Sequence, residues 1–278
     1  MSQRPAPAPE PPPRRGPDAS RPVEPPAAGG GVALAVRGLS LSIGGAAILD
    51  GIDLDVAPGE LLGVIGPNGA GKTTLFNVLS GIARPTAGTV HLAGRDVTTR
   101  SVTERARAGL GRSFQTSTLF AELTALENVR IAAQTGLGHG MSVLVRPQWT
   151  DTATTAARER LAEVGLADRA GVRVASLAHG EQRKVEIAML LAQDPAVILL
   201  DEPMAGVATG DVAGLVELVR RVHGQGRTVL MVEHHMDVVL ELADRIAVLH
   251  HGRLLACATP AEVMADPAVQ DAYLGRAA

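Results

Sequence analysis

Eight residues constrain this chain more than any others: Gly66-Pro67-Asn68-Gly69-Ala70-Gly71-Lys72-Thr73. They match the pattern G-x-x-x-x-G-K-[ST], in the surroundings that the pattern requires. Residues 61–65, Leu-Leu-Gly-Val-Ile, form a short unbroken apolar run, as expected of a strand buried on both faces. A helical stretch follows and is predicted to end near Gly81. Strand, glycine-rich loop and helix in that order make a phosphate cradle. The glycines let backbone N–H groups converge on a phosphate chain, and the helix start adds its positive dipole end. Lys72 brings a compact charge for the β- and γ-phosphates, and Thr73 a hydroxyl for Mg2+. Thr74 is placed to reach the α-phosphate.

A second apolar run, residues 197–200, ends in Asp201-Glu202. In a doubly wound parallel sheet, ligands gather at the carboxyl edge of the strands. Asp201 is therefore predicted to hold Mg2+ through water. Glu202, one residue on, points elsewhere, towards an attacking water.

The rest of the chain alternates strand and helix patterns. Val32, Leu34 and Val36, then Leu39, Leu41 and Ile43, read as strands broken by Gly38 and Gly44-Gly45. Ile52, Leu54 and Val56 alternate again. Residues 113–190 read mostly helical, with a Gly-, Pro- and polar-rich insertion between Ala133 and Thr155 that holds Trp149. A helix from about Glu181 is predicted to end at Asp194-Pro195, and a second carries Val212, Leu215, Val216 and Val219 on one stripe. Residues 229–232 form a third buried strand. Residues 246–249 and 253–256 read as a hairpin around Gly252, and the tail from Pro260 is helical. This order gives an α/β fold with a mainly parallel sheet covered on both faces.

Composition removes several classes of function. Residues 1–31 hold 10 of the 18 prolines and almost no large apolar side chain, so they are predicted to be a disordered tail. A net charge of -3 leaves no electrostatic footprint for stable nucleic-acid binding. The single cysteine, Cys257, forms no internal disulfide and no thiolate metal cluster. The pairs His234-His235 and His250-His251 are expected to point apart on strands rather than to ligate a metal. No apolar run approaches the roughly 20 residues that span a bilayer. The expected location is cytoplasmic, with any membrane association made through a partner. Two scarcities remain: five aromatic residues in all, and only two lysines, Lys72 and Lys184.

Four further pieces, in order, accompany the two motifs. Gln115 stands in Arg112-Ser113-Phe114-Gln115, and Leu177-Ala178-His179-Gly180-Glu181-Gln182 precedes a helix. Asp201-Glu202-Pro203 is followed by Ala205-Gly206-Val207, and His234 follows a buried strand. Residues 32–278 together resemble the ATP-binding subunit of an ABC transporter. Within that family, Phe120-Ala121-Glu122-Leu123-Thr124, the insertion, Val232-Glu233-His234-His235-Met236 and the ending Tyr273-Leu274-Gly275 are similar to the branched-chain amino acid importer branch. Urea importer subunits share much of this, including Met189-Leu190-Leu191-Ala192-Gln193-Asp194-Pro195. A urea or amide importer and a non-transport ABC ATPase therefore stay open as alternatives.

The resemblance implies a P-loop NTPase, RecA-like core, an N-terminal antiparallel β-subdomain and an inserted helical subdomain at about 113–190. It implies ATP and Mg2+, and two ATPase subunits facing head to tail, as a homo- or heterodimer. Separate transmembrane permease subunits and, indirectly, a substrate-binding protein complete the implied assembly, peripheral on the inner membrane face. Glu202 is the implied general base, and His234, rather than its neighbour His235, holds the γ-phosphate and water in line. Gln115 senses Mg2+ and water, and residues Leu177, Ala178, His179, Gly180 and Glu181 clamp the γ-phosphate of the opposite subunit.

Three positions depart from the family pattern. Ala178 stands where the signature has Ser, removing a hydroxyl donor worth roughly 1.5–3 kcal/mol to a charged group. Ala208 stands where Asp or Asn is usual. Ile43 stands where an aromatic stacks on adenine.

Overall fold

The computed structural model describes residues 31–113, 119–136 and 152–274. Residues 1–30 of the predicted tail, Gln115 and Trp149 lie outside these residues, as does most of the predicted insertion.

The chain opens with β1 (Leu34–Ile43) and β2 (Ala46–Val56), then β3 (Leu61–Ile65), the glycine-rich loop and α1 (Lys72–Ser80). Next come β4 (Ala87–Leu92), β5 (Arg95–Asp96), α2 (Val102–Arg107) and β6 (Leu110–Arg112). Helices α3 (Ala125–Gly136), α4 (Thr152–Glu163) and α5 (His179–Leu191) follow and pack on one another. The last part alternates β7 (Val197–Asp201), α6 (Thr209–Gly224), β8 (Thr228–Val232) and α7 (Met236–Leu242). The hairpin β9 (Arg245–His250) and β10 (Arg253–Ala258) leads to α8 (Pro260–Ala265) and α9 (Pro267–Leu274).

Two sheets result. One is antiparallel, in the order β2-β1-β4-β5. The other runs β10-β9-β3-β8-β7-β6 and is parallel except for the β9–β10 hairpin. The apolar runs are solid because each strand feeds two cores. Side chains alternate across a strand. Leu61 and Ile65 of β3, Ile198 and Leu200 of β7, and Val229 and Met231 of β8 join the helices α3 to α7 in one core. Leu62 and Val64, Val197 and Leu199, and Leu230 and Val232 join α1 and the antiparallel sheet in the other.

Several local expectations are corrected. Gly38 does not break a strand: β1 runs through it, with register shifts on either side and φ of +54° at Gly38. A bulge in a long strand and a break between two short ones look alike in sequence, and the partner strands β2 and β4 decide between them. Helix α5 starts at His179 and ends at Leu191, before Asp194, which adopts φ +50°. Pro267 divides the predicted C-terminal helix into α8 and α9. The histidine pairs do not lie along strands. His235 is the N-cap of α7, and the rings of His250 and His251 meet edge-on at 4.1 Å because His251 turns the hairpin at φ +47°.

One buried cation was not foreseen. Arg105, 1% exposed, donates to the carbonyls of Val78 (2.6 Å) and Leu79 (2.7 Å). It thereby meets the Leu79 carbonyl at the end of α1 and adds a second donor to that of Val78, which also accepts the Gly81 N–H.

Candidate functional site

The parallel strands deliver their carboxyl ends to one edge of the sheet. Val64 is in register with Val232, Asp201 with Val232, and Arg112 with Leu199. The glycine-rich loop, Asp201-Glu202, Glu233-His234 and Arg112 therefore share that edge.

Backbone contacts hold the loop. Ala70 N–H donates to the Pro67 carbonyl at 3.1 Å, closing a turn. The Gly252 N–H donates to the Ala70 carbonyl (3.1 Å), and the Gly252 carbonyl accepts from Asp50 N–H (2.8 Å). The β9–β10 turn thus bridges the loop and β2. At Gly66, φ is +153°, and a Cβ would stand 2.2 Å from the Leu249 carbonyl oxygen. Only glycine allows β9 to approach there. The N-cap of α1, Gly71, has no capping side chain, and no acidic residue occupies the first turn. Open N–H groups and the helix dipole suit an anion. Asn68, Gly69 and Thr73 are exposed, and Pro67 and Thr74 are half-buried.

Lys72 is 7% exposed and folds back, its Nζ donating to the carbonyls of Gly66 (2.6 Å) and Pro67 (3.1 Å). Burial lowers its pKa from the usual lysine range, opposed by the charge of Glu202.

Asp201 ends β7 at 1% exposure. Its Oδ2 meets Arg112 Nη2 at 2.7 Å, and its N–H donates to the Ser113 hydroxyl at 3.1 Å. Among the described residues, Oδ1 is buried with no hydrogen-bond partner. A buried carboxylate oxygen lacking a donor is costly unless a cation meets it, so the residues present fit Mg2+.

Glu202 adopts φ +49°, and its N–H donates to the Val232 carbonyl at 2.9 Å. The left-handed backbone costs a non-glycine residue on the order of 1–3 kcal/mol and marks an over-determined position. Glu202 Oε1 lies 2.9 Å from His234 Nε2. His235 turns the other way, with Nδ1 3.3 Å from Glu233 Oε2. Glu233, 3% exposed, accepts from Met204 N–H (2.8 Å) through Oε1 and from His234 N–H (3.1 Å) through Oε2. It ties the loop after Glu202 to the histidine.

The segment 177–181 stands apart. Among the described residues, no hydrogen bond or ion pair joins it to the loop at 66–74. Ala178 is the N-cap of α5 and offers no side-chain acceptor. Glu181 keeps the reciprocal half of the cap, its Oε2 accepting from Ala178 N–H at 3.1 Å, while Oε1 meets Arg169 at 3.1 Å. Leu177 is buried, and Ala178 and His179 are exposed. Gly180 is buried, where a Cβ would come within 3.1 Å of Asp211. Ile43 ends β1, opposite Ala46, and is 62% exposed.

Sequence reasoning missed Arg112, Ser113, Asn77, Ser80 and Glu233. In the sequence Arg112 and Ser113 stand out only as neighbours of Gln115. The available signal was a basic residue at the end of a short strand, with an acidic strand end elsewhere needing a counter-ion.

A family model described as ABC transporter matches residues 49–205, and one described as branched-chain amino acid ATP-binding cassette transporter matches residues 253–278. The high-affinity branched-chain amino acid transport ATP-binding protein LivG of Salmonella typhimurium is 38% identical over 250 residues, 88% of this chain and 98% of that protein. BraF of Pseudomonas aeruginosa, described in the same words, is 37% identical over 252 residues with the same coverage. The fold is similar to a crystal structure titled as the ADP conformation of an ATP-binding cassette of an ABC transporter. That likeness has a TM-score of 0.79 at 30% identity and covers 88% of this chain and 99% of that one.

Proposed function

The chain belongs to the ABC transporter ATPase family, and from that premise we propose that it is the ATP-hydrolysing subunit of a multi-subunit importer for branched-chain amino acids. The observation that carries the chemistry is the pairing of Glu202 with His234 on the sheet edge that bears the Lys72 loop. The segment at 253–278, similar to the branched-chain family, supports the transported class.

The loop amides and Lys72 bind the phosphate chain of ATP. For this, Lys72 exchanges its two loop carbonyls for phosphate oxygens. Thr73, Asp201 and Gln115 are the residues that would hold Mg2+, which supplies neutralisation of β- and γ-phosphate charge. Glu202 takes a proton from a water in line with the γ-phosphate, the water oxygen bonds to the γ-phosphorus, and the bond from that phosphorus to the β-phosphate oxygen breaks, releasing ADP and phosphate. His234 orients the water and γ-phosphate. A second ATPase subunit supplies Leu177, Ala178, His179, Gly180 and Glu181, which explains why the described chain does not bring its own segment to its own loop. Among the described residues no helix is long and apolar enough to cross a membrane, so permease subunits carry the substrate path. The helical subdomain at about 113–190 docks on them, and residues 32–278 act as one ATPase domain behind the 1–31 tail.

The test is ATP hydrolysis by wild type and Glu202→Gln, then reconstitution with permeases and a binding protein in vesicles. Leucine-stimulated turnover supports the reading. Stimulation by urea instead moves the chain to the urea importers, and turnover without any permease response points to a non-transport ATPase.

A further inference from the structure

Asp201 is gripped from a direction the family motifs do not describe. The strand β6 lies parallel to β7 at the edge of the sheet, with Arg112 two residues behind Asp201 in register. From there the guanidinium reaches forward to Oδ2 at 2.7 Å. The pair is 7% and 1% exposed, so its attraction is little screened by water. The same guanidinium donates through Nη1 to Asn77 Oδ1 (2.9 Å) and Ser80 Oγ (2.8 Å), both on α1. Its carbon lies 5.9 Å from the centre of the Phe76 ring, also on α1. Ser113, the next residue, accepts the Asp201 N–H at 3.1 Å.

Two adjacent residues thus hold the backbone and one carboxylate oxygen of Asp201 against the helix that begins at Lys72 and Thr73. The other oxygen, Oδ1, is buried and without a hydrogen-bond partner among the described residues. We propose that Arg112 is a positioning residue for the metal carboxylate: it locks Asp201 Oδ2 to α1, so that Oδ1 would be left to meet a Mg2+ that Thr73 of that helix would also hold. The planar fork matters, because one guanidinium spans Asp201, Asn77 and Ser80 at once, and a lysine ammonium is a point charge on a flexible stem. Partners behind a metal ligand fix its orientation, and their loss typically costs roughly 10–100-fold in metal affinity. The proposal rests on the reading of Asp201 as a Mg2+ residue.

The experiment measures ATP binding to the full chain carrying Glu202→Gln, so that nucleotide survives, across a Mg2+ titration and in EDTA. The expected result is that added Arg112→Gln raises the Mg2+ concentration for half-maximal tightening of ATP binding roughly 10–100-fold. ATP affinity in EDTA stays unchanged, and Arg112→Lys recovers only part of the loss. Unchanged Mg2+ dependence in Arg112→Gln overturns the proposal. So does an equal loss with and without Mg2+, which would make Arg112 a mere support of the fold. If Arg112→Gln fails to fold, Asn77→Ala removes one anchor of the fork and leaves the ion pair; a Mg2+ shift in the same direction supports the proposal, and none overturns it. If the protein with Arg112 intact shows no Mg2+ effect, the reading of Asp201 itself falls, and that failure is distinct from the others.

Discussion

His234 Nε2 stands 2.9 Å from Glu202 Oε1, although the two residues lie 32 positions apart. Neighbouring parallel strands, β7 and β8, carry them to the same edge, and the Glu202 N–H on the Val232 carbonyl sets their separation. As the proposed general base and orienting imidazole, these two touching groups are expected to act as a unit. Glu202→Gln and His234→Ala should each lower kcat by about 10²–10⁴-fold. The double variant should be little worse than the poorer single one, because residues acting as a unit are not additive. Single-turnover kinetics at saturating ATP check this, and multiplicative losses would count against it.

Ala208 caps α6, a 16-residue helix, without any side-chain acceptor. Ala208→Asn should supply one and stabilise the fold by roughly 0.5–2 kcal/mol. Thermal unfolding reads this as a rise of about 2–4 °C per kcal/mol in a domain of this size. An unchanged midpoint would show that the cap geometry at Ala208 does not admit the bond.

Ala178 leaves α5 with half a capping box, because Glu181 alone supplies a bond. Ala178→Ser should restore the other half and add a donor for a γ-phosphate on a facing subunit. Nucleotide-driven dimerisation of the Glu202→Gln protein should tighten by roughly 1.5–3 kcal/mol, the worth of a hydrogen bond to a charged group. Sedimentation with and without ATP measures it, and equal dimer constants would sink the idea.

Ile43 presents an exposed aliphatic side chain at the end of β1. An aromatic on a base is worth about 1–3 kcal/mol, so Ile43→Tyr should tighten ATP binding by up to that amount. Wild type should discriminate only modestly between ATP and GTP. Competition binding decides it, and a strong wild-type preference for ATP would refute the reading.

Cys257 is the sole thiol, and burial pushes its pKa up to about 11 against the pull of the Arg245 guanidinium 3.0 Å away. The thiolate is the reactive form, so a shift of this size leaves roughly 100-fold less of it at pH 8. Labelling by a disulfide reagent should be slow in the folded protein, quicken towards pH 11, and become rapid on unfolding. The unfolded thiol ionises near 9.0 and the folded one near 11, so its contribution to stability falls as pH rises between them. Fast labelling of folded protein at neutral pH would contradict this.

Features with contiguous causes were legible in the sequence. The Lys72 loop needs its glycines, lysine and threonine side by side, and the runs at 61–65, 197–200 and 229–232 are solid because both faces of each strand are buried. The bulge at Gly38 was not legible, since β2 and β4 determine it. The resemblance pointed to His234 over His235, but which carboxylate each ring meets, Glu202 or Glu233, was not legible, because it depends on contacts between distant segments.

By itself the sequence determined the alternation of strand and helix, the phosphate loop, the acidic strand end and the family they resemble. Each is written within a few adjacent residues whose spacing the local backbone geometry dictates. The tertiary structure alone decided that Arg112 holds Asp201 from 89 positions away, and that Glu233 joins Met204 to His234. These contacts follow from strand order and register in a parallel sheet. Packing of two cores sets both, and no local pattern encodes them.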